Sequence, residues 1–421
     1  MSTLTLAIIV VFVLGYALIA MESLTKINKA AVALLMFVFC WVLYMVDPSP
    51  FVQLMHPEFK VIGDQLVTFA NKLITEHLGD TATTLFFLMG AMTIVEIVDQ
   101  NGGFNWVKDV MRSKSKRSLL WKIAFMTFFL SAILDNLTTS IVMIMILRKL
   151  VQDHKDRMIY ASLVIIAANS GGAFSPIGDV TTIMLWNAGM ITAGGVISEI
   201  FIPSLISMII PAFVLQFLLK GKLGGDMLET DHSGDTELLE FNSSQRKIIF
   251  AIGVGGLCFV PVFHYFTDLP PFVGILLVLG ILWTITEIFY RSLHRSKGDS
   301  EDFSKRVSNL LSRIDMSTIL FFLGILMAVA CLEEVGVLHE LGGGLNSFFQ
   351  GNHYAVTGVI GVLSSIVDNV PLVAGSMGMY PVQATGDMAV DGIFWQLLAY
   401  CAGVGGSILI IGSAAGVVVM G

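Results

Sequence analysis

The stretch SAILDNLTTS (131–140) lies between two apolar runs, LLWKIAFMTFFL before it and IVMIMIL after it. Asp135, Asn136, Thr138 and Thr139 therefore sit at a break in strongly apolar chain. A carboxylate at bilayer depth is costly and marks function by default. Asn or Ser would cap the following helix without a charge, so capping alone does not account for an Asp. A second copy, SSIVDN (364–369), presents Ser364, Ser365, Asp368 and Asn369 in the same order. A third polar stretch, AANSGGAFSPIGDVTT (167–182), adds Asn169, Ser170, Ser175, Asp179, Thr181 and Thr182. Its counterpart, CAGVGGSILIIGSAAG (401–416), adds Ser407 and Ser413, and no Lys, Arg or His interrupts any of the four. Hard oxygen ligands with net negative charge suit a small alkali cation rather than an anion. Plainer uses compete with this reading. A Ser or Thr also bonds carbonyls of its own helix, glycines also serve close helix packing, and Asp179 also suits the cap of a half-helix.

The elements that must position these groups are membrane helices. Hydrophobic residues make up 55% of the 421 residues and charged residues only 13%, against roughly 25% charged in a soluble domain; mean hydropathy is +0.81. The expected fold is an all-α polytopic membrane protein. The net charge of −8 carries little meaning because charge is confined to loops. Cys40, Cys258, Cys331 and Cys401 all lie in apolar runs and read as small core residues. The run 4–21 lacks a basic leader and a small-residue cleavage site and reads as a first span. Further full spans are expected at 29–46, 81–98, 158–188, 195–219, 247–266, 269–290, 316–333 and 393–421, and a surface helix at 63–77.

Four shorter pieces flank the two Asp residues: 118–134 and 137–149, then 354–367 and 370–380. Crossing takes about 20 apolar residues, so each pair reads as a re-entrant hairpin. Loop charge agrees. Both flanks of the first pair are basic, KDVMRSKSKRS (108–118) and RKLVQDHKDR (148–157), and are expected on the cytoplasmic side. Both flanks of the second pair, 334–353 and 381–392, contain no Lys or Arg and are expected outside.

The chain also repeats itself. TLFFLMGAM (84–92) resembles TILFFLGILM (318–327), SAILDN matches SSIVDN at an offset of 233, and the two Gly-rich stretches align at 234. Five full spans separate the hairpins, which inverts the second copy. Inverted repeats with a midplane site are a transporter architecture. The segment 158–188 carries Gly171, Gly172, Pro176 and Gly178 in its middle and is expected to unwind there. Two hairpin tips and two broken helices are then the expected parts of the site. The expected division is scaffold at 1–112 and 247–340, transport domain at 117–219 and 353–421. Glu96 and Asp99, with repeat counterparts Glu333 and Glu334, read as entry-path residues.

The DN tips, the ANSGGAFSPIGDVTT stretch and the inverted duplication together resemble the NhaD-type bacterial sodium/proton antiporters of the ion transporter superfamily. The resemblance runs from about Thr84 onward. It implies Na⁺ or Li⁺ export against protons in a bacterial inner membrane, by a homodimer with an elevator-like transport domain. By motif position it points to Asp135, Asn136, Asn169, Asp179, Thr181, Thr182, Asp368 and Asn369. Thr138, Ser365 and Ser407 join them from the oxygen inventory, with Na⁺ expected at Asp135, Asn136, Asp368 and Asn369. No cofactor, enzymatic activity or nucleic-acid partner is expected. Repeat logic also calls for a span after 421 equivalent to 195–219. The rival readings are a sodium-coupled dicarboxylate carrier or arsenite exporter of the same architecture, a passive channel and an intramembrane aspartyl protease using Asp135 and Asp179. Charged tips argue against the anion carrier, and paired hairpins favour a carrier over a channel. The missing first glycine of the GxGD pattern argues against the protease.

Overall fold

Where the apolar runs are uninterrupted, the backbone satisfies its own polar groups by coiling, as a chain in hydrocarbon must. The computed structural model describes residues 2–58, 63–111, 113, 115–219, 221, 241–297, 314–409 and 416, and among them the only regular elements are helices. In chain order these begin with α1 (Thr3–Ala20), α2 (Glu22–Thr25), α3 (Lys29–Val46), α4 (Ser49–Met55), α5 (Asp64–Gln100) and α6 (Asn105–Met111). The first hairpin pair is α7 (Lys116–Leu134) and α8 (Asn136–Leu150), followed by α9 (His154–Ala173), α10 (Val180–Asn187) and α11 (Ala193–Leu215). Next come α12 (Ser243–Thr267), α13 (Pro271–Lys297), α14 (Met316–Glu334) and α15 (Val337–Phe348). The second hairpin pair is α16 (His353–Leu363) and α17 (Asn369–Met379), and α18 (Ile393–Gly405) follows. Eight described helices are long and apolar enough to cross a membrane: α1, α3, α5, α7, α11, α12, α13 and α14. On α1, Leu6, Val10, Val13, Leu14 and Leu18 are all exposed. A helix apolar all round with so little of it covered is a membrane helix, and the chain is a multi-pass membrane protein.

Contacts gather the chain into two compact units. One comprises 1–86, 184–192 and 315–413. Its centre is α14, buried along nearly its whole length and packed on α3; Trp41 Nε1 donates to the Met327 carbonyl at 2.8 Å between them. The arm α17 packs on α14, α15 and α18, and α16 packs on α18. The other unit comprises 87–183, 193–314 and 414–421. There α7 and α8 pack on each other and on α9, α11 packs on α9, and α12 pairs with α13. These units reflect contact density, and their boundaries differ from the expected scaffold and transport domains.

Each unit repeats the same two contacts. Ser131 Oγ donates to the Ala168 carbonyl at 2.5 Å, and Ser364 Oγ donates to the Ala402 carbonyl at 2.7 Å. A Cβ on Gly171 would lie 2.1 Å from the Phe128 carbonyl oxygen, and one on Gly405 would lie 2.2 Å from that of Gly361. The duplicated sequence thus builds the same hairpin-to-helix approach twice.

Three elements depart from the sequence reading. The expected surface helix 63–77 and the span 81–98 are one helix, α5, of 37 residues. Of the three residues between them, Leu78, Gly79 and Asp80, the glycine is the strongest helix breaker, and one glycine costs a helix only about 1 kcal/mol. The first hairpin arm is 19 residues, longer than expected, because the good helix formers Lys116 and Arg117 extend the apolar run. The span expected at 393–421 is described as a helix only to Gly405, with turns to 409; Ser413 and the loop charges of 222–240 and 298–313 lie outside the described residues.

Candidate functional site

The break in the long segment falls where the sequence placed it. The helix α9 ends at Ala173 and α10 starts at Val180, so FSPIGD (174–179) is the unwound stretch. Pro176 cannot donate a backbone hydrogen bond, and the chain here turns too tightly for side chains. A Cβ on Gly178 would lie 2.8 Å from the Ser131 carbonyl oxygen. Thr182 ties the turn together by donating to the carbonyls of Ser175, at 2.7 Å, and Asp179, at 2.9 Å. Near the foot of the hairpin, Lys116 pairs with Asp156 and Tyr160 Oη donates to the Lys116 carbonyl at 2.8 Å, which registers α7 against α9. Outside the spans, Asp153 starts α9 by accepting from the Asp156 amide at 2.8 Å. That hydrogen bond, with nearby lysines, holds its carboxyl below the usual range.

At the first tip the polar groups form two neighbouring sets. In one, Asn136 Nδ2 donates to Asn169 Oδ1 at 3.1 Å and to Asp179 Oδ2 at 3.2 Å, while the Thr181 amide donates to Asp179 Oδ1 at 3.1 Å. Asp179 is 1% exposed, and Asn169, Thr181 and Thr182 are fully buried. The hydroxyls of Thr139 and Thr181 are buried without a hydrogen-bond partner. Such groups call for an explanation, an unseen ion or water among them. In the other set, Asp135 accepts from the Thr138 amide at 2.7 Å and from Thr138 Oγ1 at 2.9 Å. Asp135 is thus a true N-cap of α8, the plainer role weighed for it. Yet its φ of 81° and ψ of 161° are a glycine-like conformation for an Asp. Such strain costs on the order of 1–3 kcal/mol and gathers at functional sites.

The second tip is built differently. Asp368 makes no side-chain cap bond to α17; its Oδ2 lies 3.5 Å from Lys29 Nζ of α3. Asn369 opens α17 and is buried, Ser365 Oγ donates to the Val362 carbonyl of its own segment at 2.6 Å, and Ser407 lies in the turn after α18. The structure therefore joins Asn136, Asn169, Asp179 and Thr181 in one network and leaves Asp135 with Thr138. Asp368 and Ser365 bond elsewhere, in the other unit.

Two features escaped the sequence reading. Lys29 is one, since nothing in the order of residues links it to a tip 339 positions away. The other is the grip on Glu334, which accepts from His56 Nε2 at 3.0 Å and His77 Nε2 at 2.8 Å. An acid beside an acid, Glu333–Glu334 at a span end, is the signal that pointed toward it.

The family described as "Citrate transporter" matches residues 16–405. Sodium/proton antiporter 2 of Arabidopsis thaliana is 41% identical over 97% of this chain and 90% of its own length. Sodium/proton antiporter 1 of the same plant is 42% identical over 99% of this chain and 67% of its own length. The Na⁺/H⁺ antiporter NhaD of Alkalimonas amylolytica is 30% identical over 98% and 83%.

Proposed function

The chain belongs to the citrate transporter family and, within it, to the NhaD-type sodium/proton antiporters, and from that premise we propose that it is a secondary active carrier exchanging Na⁺ or Li⁺ for H⁺. The observation that carries this reading is the first-tip network. A carboxylate, Asp179, is buried among amide and hydroxyl groups, with a second carboxylate, Asp135, one residue from the Asn136 that binds it. Amides and a hydroxyl donate to them: Asn136 Nδ2 and the Thr181 amide to Asp179, the Thr138 amide and hydroxyl to Asp135. Oxygen donors of this kind replace the hydration shell of a small hard cation. A carboxylate there holds either the cation or a proton, and competition for it couples the two flows. Na⁺ is held at Asp135 and Asn136 in the first repeat and at Asp368 and Asn369 in the second, with Asn169, Asp179, Thr138, Thr181, Thr182, Ser365 and Ser407 as further oxygen donors.

The wider proposal follows the family. The repeats are inverted, the segments 117–219 and 353–421 move as an elevator against the remaining spans, and the carrier is a homodimer. The resemblance implies a bacterial inner membrane. Because relatives also occur in a plant, the physical requirement is a sealed bilayer that sustains a proton gradient.

The family description favours a second reading, a carrier of citrate-like anions. An anion would have to approach two carboxylates, Asp135 and Asp179, at the same tip, which disfavours it. The deciding experiment uses purified protein in proteoliposomes with an internal pH dye, adding Na⁺, Li⁺, K⁺ and citrate in turn. The expected result is proton movement driven by Na⁺ and Li⁺. Silence to every alkali cation, or flux with citrate alone, overturns the proposal.

A further inference from the structure

The two Asp tips have different resident partners, and one residue accounts for the difference. Thr138, three positions after Asp135, supplies an amide and a hydroxyl to that carboxylate. The repeat places Pro371 three positions after Asp368. Proline has no N–H to give and no hydroxyl, so both donors that hold Asp135 are missing here, and Asp368 makes no cap bond to its helix. The carboxylate faces Lys29 instead.

Lys29 is anchored at its base and loose at its head. Its amide donates to Glu22 Oε1 at 3.1 Å, and the preceding Asn28 caps α3 and bonds Ser317 Oγ at 2.9 Å. Its ammonium lies 3.5 Å from Asp368 Oδ2 and 4.3 Å from the centre of the Phe321 ring. A charge-assisted N–H···O bond is normally about 2.7–2.9 Å, so this pair is long, and both side chains are partly exposed. The ammonium touches the Phe321 face and the carboxylate at the same time, so the ring can keep it without Asp368. Tyr16 stands on the same tip, its hydroxyl against the Asp368 backbone. A fixed structural neutraliser would be close and enclosed; this one is tethered at its base, long, partly exposed and also held by a ring face.

We propose that Lys29 is a tethered competitor of the transported cation at Asp368: its ammonium occupies the carboxylate when no Na⁺ is bound, and arriving Na⁺ displaces it from the carboxylate while the Phe321 face retains it. Lys29 acts through Asp368 and is a positioning residue. The inference rests on the proposed exchange and deepens it, because it makes the two tips unequal. The exchangeable counter-charge is placed at the second.

The test is the half-saturating Na⁺ concentration for proton flux in proteoliposomes, measured for wild type, K29M and K29R at matched protein. K29M keeps the apolar stem and removes the competitor, so half-saturating Na⁺ should fall about two- to fivefold, the range a partly exposed ion pair carries. K29R keeps the charge and should stay within about twofold of wild type by the same measure. A merely structural role would lower maximal flux and leave half-saturation in place. Should K29M fail to accumulate, K29Q is read in its stead. Unchanged or raised half-saturation in the neutral variant overturns the inference, as does K29R behaving like it. The wild-type arm separates the two readings: no Na⁺-driven flux there sinks the exchange itself, whereas normal wild-type flux with an unmoved neutral variant sinks only the role of Lys29.

Discussion

Asp135 and Asp179 are both carboxylates of the first repeat, yet their neighbours make different demands on a substitution. Asp135 accepts from the Thr138 amide and from the Thr138 hydroxyl, and a hydroxyl can turn to accept from an Asn amide instead. Asn caps helices about as well as Asp, so Asp135→Asn should leave the melting temperature of the purified protein nearly unchanged. It cannot release a proton, and Na⁺-driven proton flux should be lost. Asp135→Glu should retain partial flux with altered apparent Na⁺ affinity, because the carboxylate is displaced. Asp179 accepts on separate oxygens from Asn136 and from the Thr181 amide. Asparagine has one acceptor oxygen, so Asp179→Asn strands a buried donor at a cost of about 1–3 kcal/mol. It should therefore lose both flux and thermal stability. Normal exchange in Asp135→Asn would remove that residue from the proton path and leave Asp179 as the leading carrier. Equal melting of the two variants would contradict the described network.

At the scale of elements, the contacts made at Gly171 and Gly405 are what let each hairpin lie against the helix that follows it. A methyl group at Gly171 would have to enter the Phe128 carbonyl, which is backbone and cannot swing aside. Overpacking of this kind typically costs about 1–3 kcal/mol. Gly171→Ala should lower the melting temperature and the maximal flux together, and Gly405→Ala should do the same in the second repeat. The control is Gly343→Ala inside α15, where a Cβ meets nothing within 4 Å; there the helix gains roughly 0.5–1 kcal/mol. Differential scanning fluorimetry in detergent separates the three. Identical behaviour of Gly171→Ala and Gly343→Ala would mean that the approach of α7 to α9 is looser than described.

For the whole molecule, the decisive question is which ends of the hairpins share a side of the membrane. In a background with the four native cysteines replaced, single cysteines at Ser115 and Lys155 should react from the cytoplasmic face, and those at Ser347 and Thr385 from the other. All four positions are exposed. The basic flanks of the first pair and the absence of Lys and Arg around the second set this expectation. Opposite-face labelling of Ser115 and Lys155 would turn α7 and α8 into a single crossing, for which the 19 residues of α7 are long enough. That result would also remove the inversion of the repeats.

Local chemistry decided much of this in advance. Unbroken apolar runs determined the spans, down to the limits of α3, because a backbone in hydrocarbon has no other way to bond itself. Gly and Pro in SGGAFSPIG determined the break between α9 and α10, and the duplicated SAILDN and SSIVDN placed an Asp at each tip. Boundaries such as the join inside α5 were not legible, since a lone glycine is a weak signal. Only the tertiary structure decided what each Asp touches. Periodicity records which residues face inward on one element, whereas Asn136 meeting Asp179, His77 meeting Glu334 and Lys29 meeting Asp368 depend on how separate elements come together. The two tips look equivalent as strings of residues. They part because one is followed by a threonine that can donate and the other by a proline that cannot, and the space left open at the second is filled from the far end of the chain.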